Sequence, residues 1–362
     1  MTPTSSRRSV VVALSGGVDS AVAAVRLVQQ GVPVIGMTLQ LQADPGGPVI
    51  PTPDAIERAR TVCRQLDMPF RLLDAQDAFK TNVIDYFISE YAAGRTPNPC
   101  VRCNRFIRFG FLMERALALG ADALATGHYA RIRRRDGAYE LLRGYDGVKD
   151  QSYFLHALTQ KQVAHARFPL GTLTKDQVRR IASRQNLPVA EQEESQDVCF
   201  LVDGDYRRFL EMHAPDIMEP GPIYDTAGQR LGQHVGLAGY TIGQRKGLDV
   251  SASERLYVLA IEPQRNALVV GTGDQLGRDR CLIEEVHYIS GRIRRDPFRA
   301  EAQIRYRARP TPVTVTPRSG REAQIHFEVP QRDITPGQSL VLYEGDAVLG
   351  GGTICRSQNS VL

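Results

Sequence analysis

Residues 10–14 read VVVAL, residues 15–20 read SGGVDS, and residues 21–30 read AVAAVRLVQQ before Gly31. A short β-branched apolar run that breaks on two glycines and resumes in helix-forming residues is a strand, a tight turn and a helix. A buried strand followed at once by a helix covers itself by folding the helix back onto a sheet, so the chain opens with an α/β layer.

The pattern then repeats. VPVIGMTLQL (32–41) reads as the next buried strand, and PFRLLDA (69–75) and ADALATG (121–127) as further strands. PGGPVIPTP (45–53) reads as a loop, and helices are expected at about 54–66, 78–93 and 106–119. Asp54 and Glu57 have the spacing of a capping box for the first of these. Strands alternating with helices make a mostly parallel sheet covered on both faces, with ligands beyond the strands' carboxyl ends. SGGVDS, the end of the 32–41 strand and the TGHY stretch all fall at such ends. RIRRRDGAYELLRG (131–144) carries Asp136-Gly137 between two alternating runs, the mark of a tight hairpin. After one more helical stretch, YRRFLEMH, short β-type runs broken by glycine and proline fill the rest of the chain. We expect an α/β, Rossmann-like parallel sheet with its phosphate loop at 1–204, a small central domain at 205–274 and a C-terminal β-barrel at 275–362.

Composition narrows the class. A chain of 362 residues has room for two or three domains. With 42% hydrophobic and 23% charged residues, and no apolar run near the roughly 18 residues of a membrane span, a soluble protein with no membrane partner is expected. The opening MTPTSSRRSV turns polar again at SGGVDS, unlike a secretory leader, so the expected location is cytoplasmic. Six cysteines are too few for a disulfide scaffold, and in a reducing compartment a close pair points to catalysis or metal binding. The net charge of +5 is mild, but residues 101–150 hold ten basic and six acidic side chains, and arginines outnumber lysines forty to five. That excess suits phosphate contacts, and equally an arginine-rich solvated face.

SGGVDS in its strand–turn–helix setting is a phosphate cradle: glycines let backbone N–H groups approach, and the helix N-terminus favours the charge. It lacks the Gly-Lys-Ser/Thr of the Walker loop. Among the cysteines, Cys100 and Cys103 have CxxC spacing in TPNPCVRCN, just after two prolines that disfavour helix, and Cys199 lies far off in ESQDVCFL. A loop thiol beside Arg102 and Arg105 is expected to have a lowered pKa. A structural zinc would need a second Cys or His pair at suitable spacing, and none is evident. Cys63, Cys281 and Cys355 fall at packing positions.

In this context SGGVDS resembles the pyrophosphatase-type loop of enzymes that form an adenylate and release pyrophosphate, the adenine nucleotide alpha hydrolase-like fold. ALSGGVDSA, GRTPNPCVRCNRFIRFG, ATGHYAR, KDQSYFL, ESQDVCFL, TIGQRKGL, RYRARP and TPGQ, in that order and over essentially the whole chain, resemble the tRNA-specific 2-thiouridylase family.

The resemblance implies a tRNA with a wobble uridine as substrate, activated by ATP with Mg²⁺ as an AMP ester at its C2 oxygen. It assigns the phosphates to Ala13, Leu14, Ser15, Gly16, Gly17, Val18, Asp19 and Ser20, and the adenosine to the neighbourhood of Leu39 and Gly127. Cys199 corresponds to the cysteine that takes up sulfur as a persulfide from a donor protein, and Cys103 to the thiol that attacks it, with a disulfide between them as sulfur moves on. Contacts to tRNA fall on Asn98, Pro99, Cys100, His128, Lys149, Asp150, Gln151, Arg305, Tyr306 and Gln338. Extrusion of the base into a pocket walled by Pro97 and Pro99 would expose the edge that reacts. His128 also reads as a satisfied crevice histidine, Arg305 with Arg307 and Arg309 as one solvated strand face, and Lys149-Asp150-Gln151 as a surface turn. DNA is not an expected partner.

One departure matters: some family members carry Asp where this chain has Cys100. Three thiolates from Cys100, Cys103 and Cys199 would suit an iron–sulfur cluster with one open iron. The competing classes are another adenylating ligase or sulfurtransferase acting on a different base or a small molecule, and a non-catalytic RNA-binding protein that keeps a nucleotide site. An adenylating ligase needs no thiol pair, and binding alone would not require the thiols at 103 and 199.

Overall fold

The computed structural model describes residues 9–42, 49–192, 198–201, 204–318 and 320–355. Its first strand, β1 (Val10–Ala13), lies between Val34–Gln42 and Ala123–Ala125, both parallel to it. Phe70–Asp74 adds outside Val34–Gln42, and Ala166–Arg167 outside Ala123–Ala125. The chain therefore builds outward on one side of β1 and returns on the other, which opens a topological switch point between β1 and Ala123–Ala125. Val11, Val12, Leu124 and Ala125 are fully buried, as continuous apolar strands covered on both faces must be. Helix α1 (Val18–Gln29) packs Val22 and Val25 against Val178 and Ala182 of the Lys175–Arg184 helix.

Two helix starts differ from expectation for one reason. The helix expected at Asp54 runs Pro53–Gln65 and is capped by Thr52, whose hydroxyl accepts from the Ala55 N–H at 3.4 Å, not by an Asp54–Glu57 box. In the same way the TPNP segment does not exclude helix: Asn98 caps and Pro99 is the first helical residue. Proline is favoured at that first position, where its missing N–H has no intrahelical partner to lose.

The hairpin forms as read, Ala130–Arg135 pairing with Ala138–Arg143 around Asp136 (φ 51°) and Gly137 (φ 79°). Its tertiary place is the surprise: Leu141 and Leu142 pair with Val348 and Ala347, so it extends the sheet of the C-terminal domain. That sheet closes because Arg278–Tyr288 pairs with both Ala323–Gln331 and Ala347–Ile354. Leu141, Phe109 and Leu124 share one buried cluster with Val341, Tyr343 and Val348, which locks the barrel onto the α/β domain. The hairpin's arginines are met locally, Arg131 by Asp346 at 2.6 Å and Arg133 by Glu140. Between the two lies a four-stranded sheet with its own core around Ile223, Val258, Leu268 and Val270. Among the described residues no helix is long and apolar enough to cross a membrane.

Candidate active site

The glycine-rich loop leaves the end of β1 at the switch point. Gly16 has φ +76°, and a Cβ there would lie 2.2 Å from the Ala55 carbonyl oxygen, so this turn admits only glycine. The Ser20 hydroxyl accepts from the Ser15 N–H (3.2 Å) and donates to the Gly17 carbonyl (3.0 Å), folding the loop over the start of α1. Gly17 is the N-cap, and the first turn of α1 carries Asp19. Thr38 donates to the Leu14 carbonyl at 2.9 Å, and Leu39, half-buried, follows near the carboxyl end of Val34–Gln42.

Gly127 approaches the loop from the end of Ala123–Ala125. A Cβ on it would stand 2.8 Å from the carbonyl carbon of Asp19 and from the nitrogen of Ser20, so the TGHY loop lies directly on the phosphate cradle. Tyr129, two residues on, donates its hydroxyl to Asp19 at 2.7 Å. The Lys175 ammonium, from a helix the sequence reading passed over, reaches both Asp19 oxygens at 2.7 and 2.8 Å.

His128, between Gly127 and Tyr129, packs its ring beside those of Phe109 and Phe168. It is buried, its Nδ1 lies 2.7 Å from the Thr126 hydroxyl, and its ring is 6.1 Å from that of Phe109. Burial first, and then the Arg108 guanidinium, push its pKa down to about 3, so it is neutral at physiological pH. Gly127 and His128, adjacent in the chain, thus join the SGGVDS loop to the side of the fold on which Arg108 lies.

That helix begins at Pro99 and continues through a ten-residue π-helical stretch, Cys103–Leu112, into Met113–Ala118. π-Helical turns widen a helix and leave carbonyls under-satisfied. Here the Gln162 amide donates to the Arg105 carbonyl (3.1 Å) and the Phe109 carbonyl (2.8 Å). Arg108 donates to Asn104 at 3.1 Å. The thiols of Cys103, Cys199 and Cys100 all act on the Arg108 guanidinium.

The thiols themselves depart from expectation. Cys103 is buried in a helix, not on a loop, and burial pushes its thiol up despite the opposing charge of Arg108. Burial and Cys103 raise Cys100 to about 11. Arg102, expected to lower these values, instead stacks on Tyr86 (4.3 Å) and Phe106 (4.4 Å), and Arg105 stacks on Phe106. Cys199 is open to solvent yet crowded by protein on its other sides; that crowding, then Cys103 and Cys100, push it up to about 12. Its neighbour Phe200 is the anchor, sunk among Phe79, Phe87 and Phe209 with ring centres 5.2–6.0 Å away. Glu194 to Asp197 of the ESQDVCFL motif lie outside the described residues. Among the described residues no three His, Cys, Asp or Glu side chains gather as ligands of a metal ion. Cys100, Cys103 and Cys199 are not gathered as such a ligand set, and no step is drawn through an iron–sulfur cluster on them.

The residues assigned to tRNA are placed mostly as fasteners between elements. Asn98 accepts from the Val101 N–H at 3.3 Å and hydrogen-bonds Tyr153. Gln338 of the barrel donates to the Thr96 and Pro97 carbonyls at 2.9 and 3.2 Å. Arg305 donates to Ile242, Asp333 and Thr335, tying barrel to central domain, and Tyr306 stacks on Phe154 with ring centres 4.4 Å apart. Asp150 accepts from the Gly144 and Ser152 N–H groups, and the Gln151 side chain accepts from the Tyr129 N–H at 3.0 Å. The main-chain N–H of Lys149 bonds to Asp146. Cys63 and Cys281 are buried, and Cys355 is half-buried.

Sequence reading missed Arg108, Tyr129 and Lys175. The one local signal for Lys175 was its T-x-x-Q start, Thr174 to Gln177, which does form a capping box.

Three family models match in tandem: a "tRNA methyl transferase HUP domain" over residues 8–203, a "tRNA methyl transferase PRC-barrel domain" over 207–272 and an "Aminomethyltransferase beta-barrel domain" over 278–354. The chain is 48% identical over 351 residues to the tRNA-specific 2-thiouridylase MnmA of Moorella thermoacetica, covering 95% of this chain and 98% of that protein. It is 46% identical to the MnmA of Chloroflexus aggregans, covering 97% and 99%. Among solved structures, a U34-tRNA thiolase from Methanococcus maripaludis with its 4Fe–4S cluster matches at 21% identity and a TM-score of 0.36, covering 57% of this chain and 67% of that one. On full-length identity to curated relatives, the chain belongs to the tRNA-specific 2-thiouridylase family.

Proposed function

We propose that this protein is a tRNA-uridine 2-sulfurtransferase that uses ATP to replace the C2 oxygen of a wobble uridine with sulfur. The observation that carries this reading is an adjacency in the chain. Gly127 lies on the phosphate cradle, and the next residue, His128, lies beside the Arg108 group of three thiols. Activation and sulfur transfer then share one bound base. Methyl transfer, the reaction in two of the domain descriptions, would call on neither a triphosphate cradle nor paired thiols.

In this reading Ala13 to Ser20 hold the phosphates, with Leu39 and Gly127 beside the adenosine and Mg²⁺ arriving with the triphosphate. ATP supplies the AMP ester that turns the C2 oxygen into a leaving group. Asn98, Pro99 and Cys100 border the base, and neutral His128 offers it a hydrogen bond without adding charge. Cys199, open to solvent, accepts a persulfide from a donor protein. The Cys103 thiolate then attacks the Cys199 sulfur of that persulfide, forming a Cys103–Cys199 disulfide and releasing HS⁻. HS⁻ adds to C2 and expels AMP, and an external dithiol reduces the disulfide for the next turnover. Gln338, Arg305, Asp150 and Gln151 hold the walls that receive the tRNA, and Lys149 and Tyr306 face it.

Purified protein with ATP, Mg²⁺, sulfide and an unmodified tRNA bearing a wobble uridine is the test, read as 2-thiouridine by nucleoside mass. Product that requires ATP is expected, together with loss of persulfide-driven transfer in Cys103→Ala and Cys199→Ala and rescue of Cys199→Ala by free sulfide. ATP-independent product, or full activity in both variants, would overturn the reading.

A further inference from the structure

The phosphate loop contains no lysine, and only five lysines occur in the whole chain. The fold nevertheless delivers one to the cradle. Lys175 is 7% exposed and contacts both carboxylate oxygens of Asp19, 156 residues earlier in sequence. We propose that Lys175 is the cation that handles the departing pyrophosphate, held on Asp19 until a magnesium-bound triphosphate takes its place; this rests on the ATP-dependent reading above.

Three features of its position argue for a role beyond packing. Lys175 is the first residue of the Lys175–Arg184 helix, where the helix dipole opposes a positive charge. The helix start does not need it, since Thr174 and Gln177 already cap that end reciprocally. An ammonium is also costly to bury unless paired. Asp19 supplies that pairing, but a cation set against its own helix dipole still breaks a local rule, and such breaks concentrate at functional sites. The backbone is fixed as well: the Lys175 N–H donates to Asp146 at 3.0 Å, whose other oxygen accepts from the Val148 N–H at 3.1 Å. That bond holds the helix start to the 146–149 turn while the side chain points into the loop.

The pair is arranged to be exchanged. A magnesium-bound triphosphate offers Asp19 a divalent cation and Lys175 a polyanion, so one ion pair gives way to two. In the adenylation step the uridine O2 bonds to the α-phosphorus and the bond from that phosphorus to the α,β-bridging oxygen breaks. The electron pair leaves on pyrophosphate, and the N3 proton is lost to water. The Lys175 ammonium neutralises charge as it gathers on the leaving group.

The test compares MgATP with AMP, because only ATP carries the leaving group. Calorimetric titration of wild type and Lys175→Gln is expected to show MgATP binding weakened about tenfold or more, the scale of one charged hydrogen bond, with AMP binding changed less than twofold. tRNA-dependent exchange of labelled pyrophosphate into ATP is expected to fall further, and Lys175→Arg to recover part of it. A parallel loss for ATP and AMP, or no loss for either, would overturn the proposal. Should Lys175→Gln not fold, Asp19→Asn breaks the same pair while keeping the ammonium. It should then keep the preference for ATP over AMP without added Mg²⁺, and loss of that preference would count against Lys175. A wild type that binds no ATP would instead defeat the ATP-dependent reading itself.

Discussion

Gly337→Ala is the sharpest test of how the barrel governs the reactive helix. Gly337 has φ +90°, and a Cβ there would lie 2.8–2.9 Å from the nitrogen, oxygen and carbonyl carbon of Thr96. Backbone cannot yield as a side-chain tip can, so the turn must lift from the Thr96–Pro97 segment. Three hydrogen bonds cross that seam: Thr96 N–H to the Pro336 carbonyl at 2.8 Å, and the Gln338 amide to the Thr96 and Pro97 carbonyls at 2.9 and 3.2 Å. The left-handed backbone costs an alanine about 1 kcal/mol, and each lost bond about 1 kcal/mol more, so the local penalty is about 4 kcal/mol. The freed segment leads straight into Asn98 and Pro99, the start of the helix that carries Cys103. Unfolding of a multidomain chain is not two-state, so the informative assay is hydrogen exchange of the Thr96 amide. It should quicken by a hundredfold or more (about 2.7 kcal/mol of the penalty) with thiolation falling more than tRNA affinity. Gln338→Ala, which removes two of the three bonds and leaves the backbone free of strain, should do the same more weakly. Unchanged Thr96 exchange in Gly337→Ala would refute the clamp. Loss of tRNA affinity in Gln338→Ala without faster exchange would assign that side chain to RNA.

The remaining expectations concern titration. With Cys199 pushed up to about 12, its alkylation by iodoacetamide at pH 8 should be one to two orders of magnitude slower than a free thiol, roughly what a lower thiolate fraction and a stronger nucleophile leave between them. The rate should still be climbing at pH 10, and a plateau below pH 9 would contradict the environment described. Arg108→Gln removes the charge that lowers all three thiols and should slow alkylation further. Because the thiols of Cys100, Cys103 and Cys199 keep their protons longer folded than unfolded, stability should fall as pH rises above about 8.5, measured as a declining Tm. The buried histidines act at the other end. His128 and His156 have their pKa values lowered to about 3 and about 4, so the unfolded chain takes up protons first below about pH 6.5. Tm should therefore drop between pH 6.5 and 4, and His128→Gln should flatten that slope; a slope unchanged by the variant would place the acid sensitivity elsewhere.

Local order determined a good part of this protein. The strand–glycine–helix opening, the later strands, the Asp136-Gly137 hairpin and the β-rich C-terminal half follow from period, β-branching and turn chemistry, which act over a few residues. The turn in SGGVDS was legible for the same reason, since Gly16 has a left-handed backbone that favours glycine. The TPNPC start was misread because two prolines were weighed as helix breakers when the second occupies the first helical position. The thiol pKa values were misread because neighbours in sequence were taken for neighbours in space. Arg102 and Arg105 stack on aromatic rings, Arg108 five residues after Cys103 supplies the charge, and burial outweighs it.

What tertiary structure alone decided is which distant groups meet. Lys175 reaches Asp19 and Gln338 grips Thr96, across 156 and 242 positions. Phe200 sinks into an aromatic core and leaves Cys199 at the surface, and the hairpin joins a barrel built two hundred residues later. Periodicity records which face of an element is buried but carries no address for its partner. Burial, dielectric and charge pairing, which set the chemistry of the thiols and the phosphate cradle, are properties of that address.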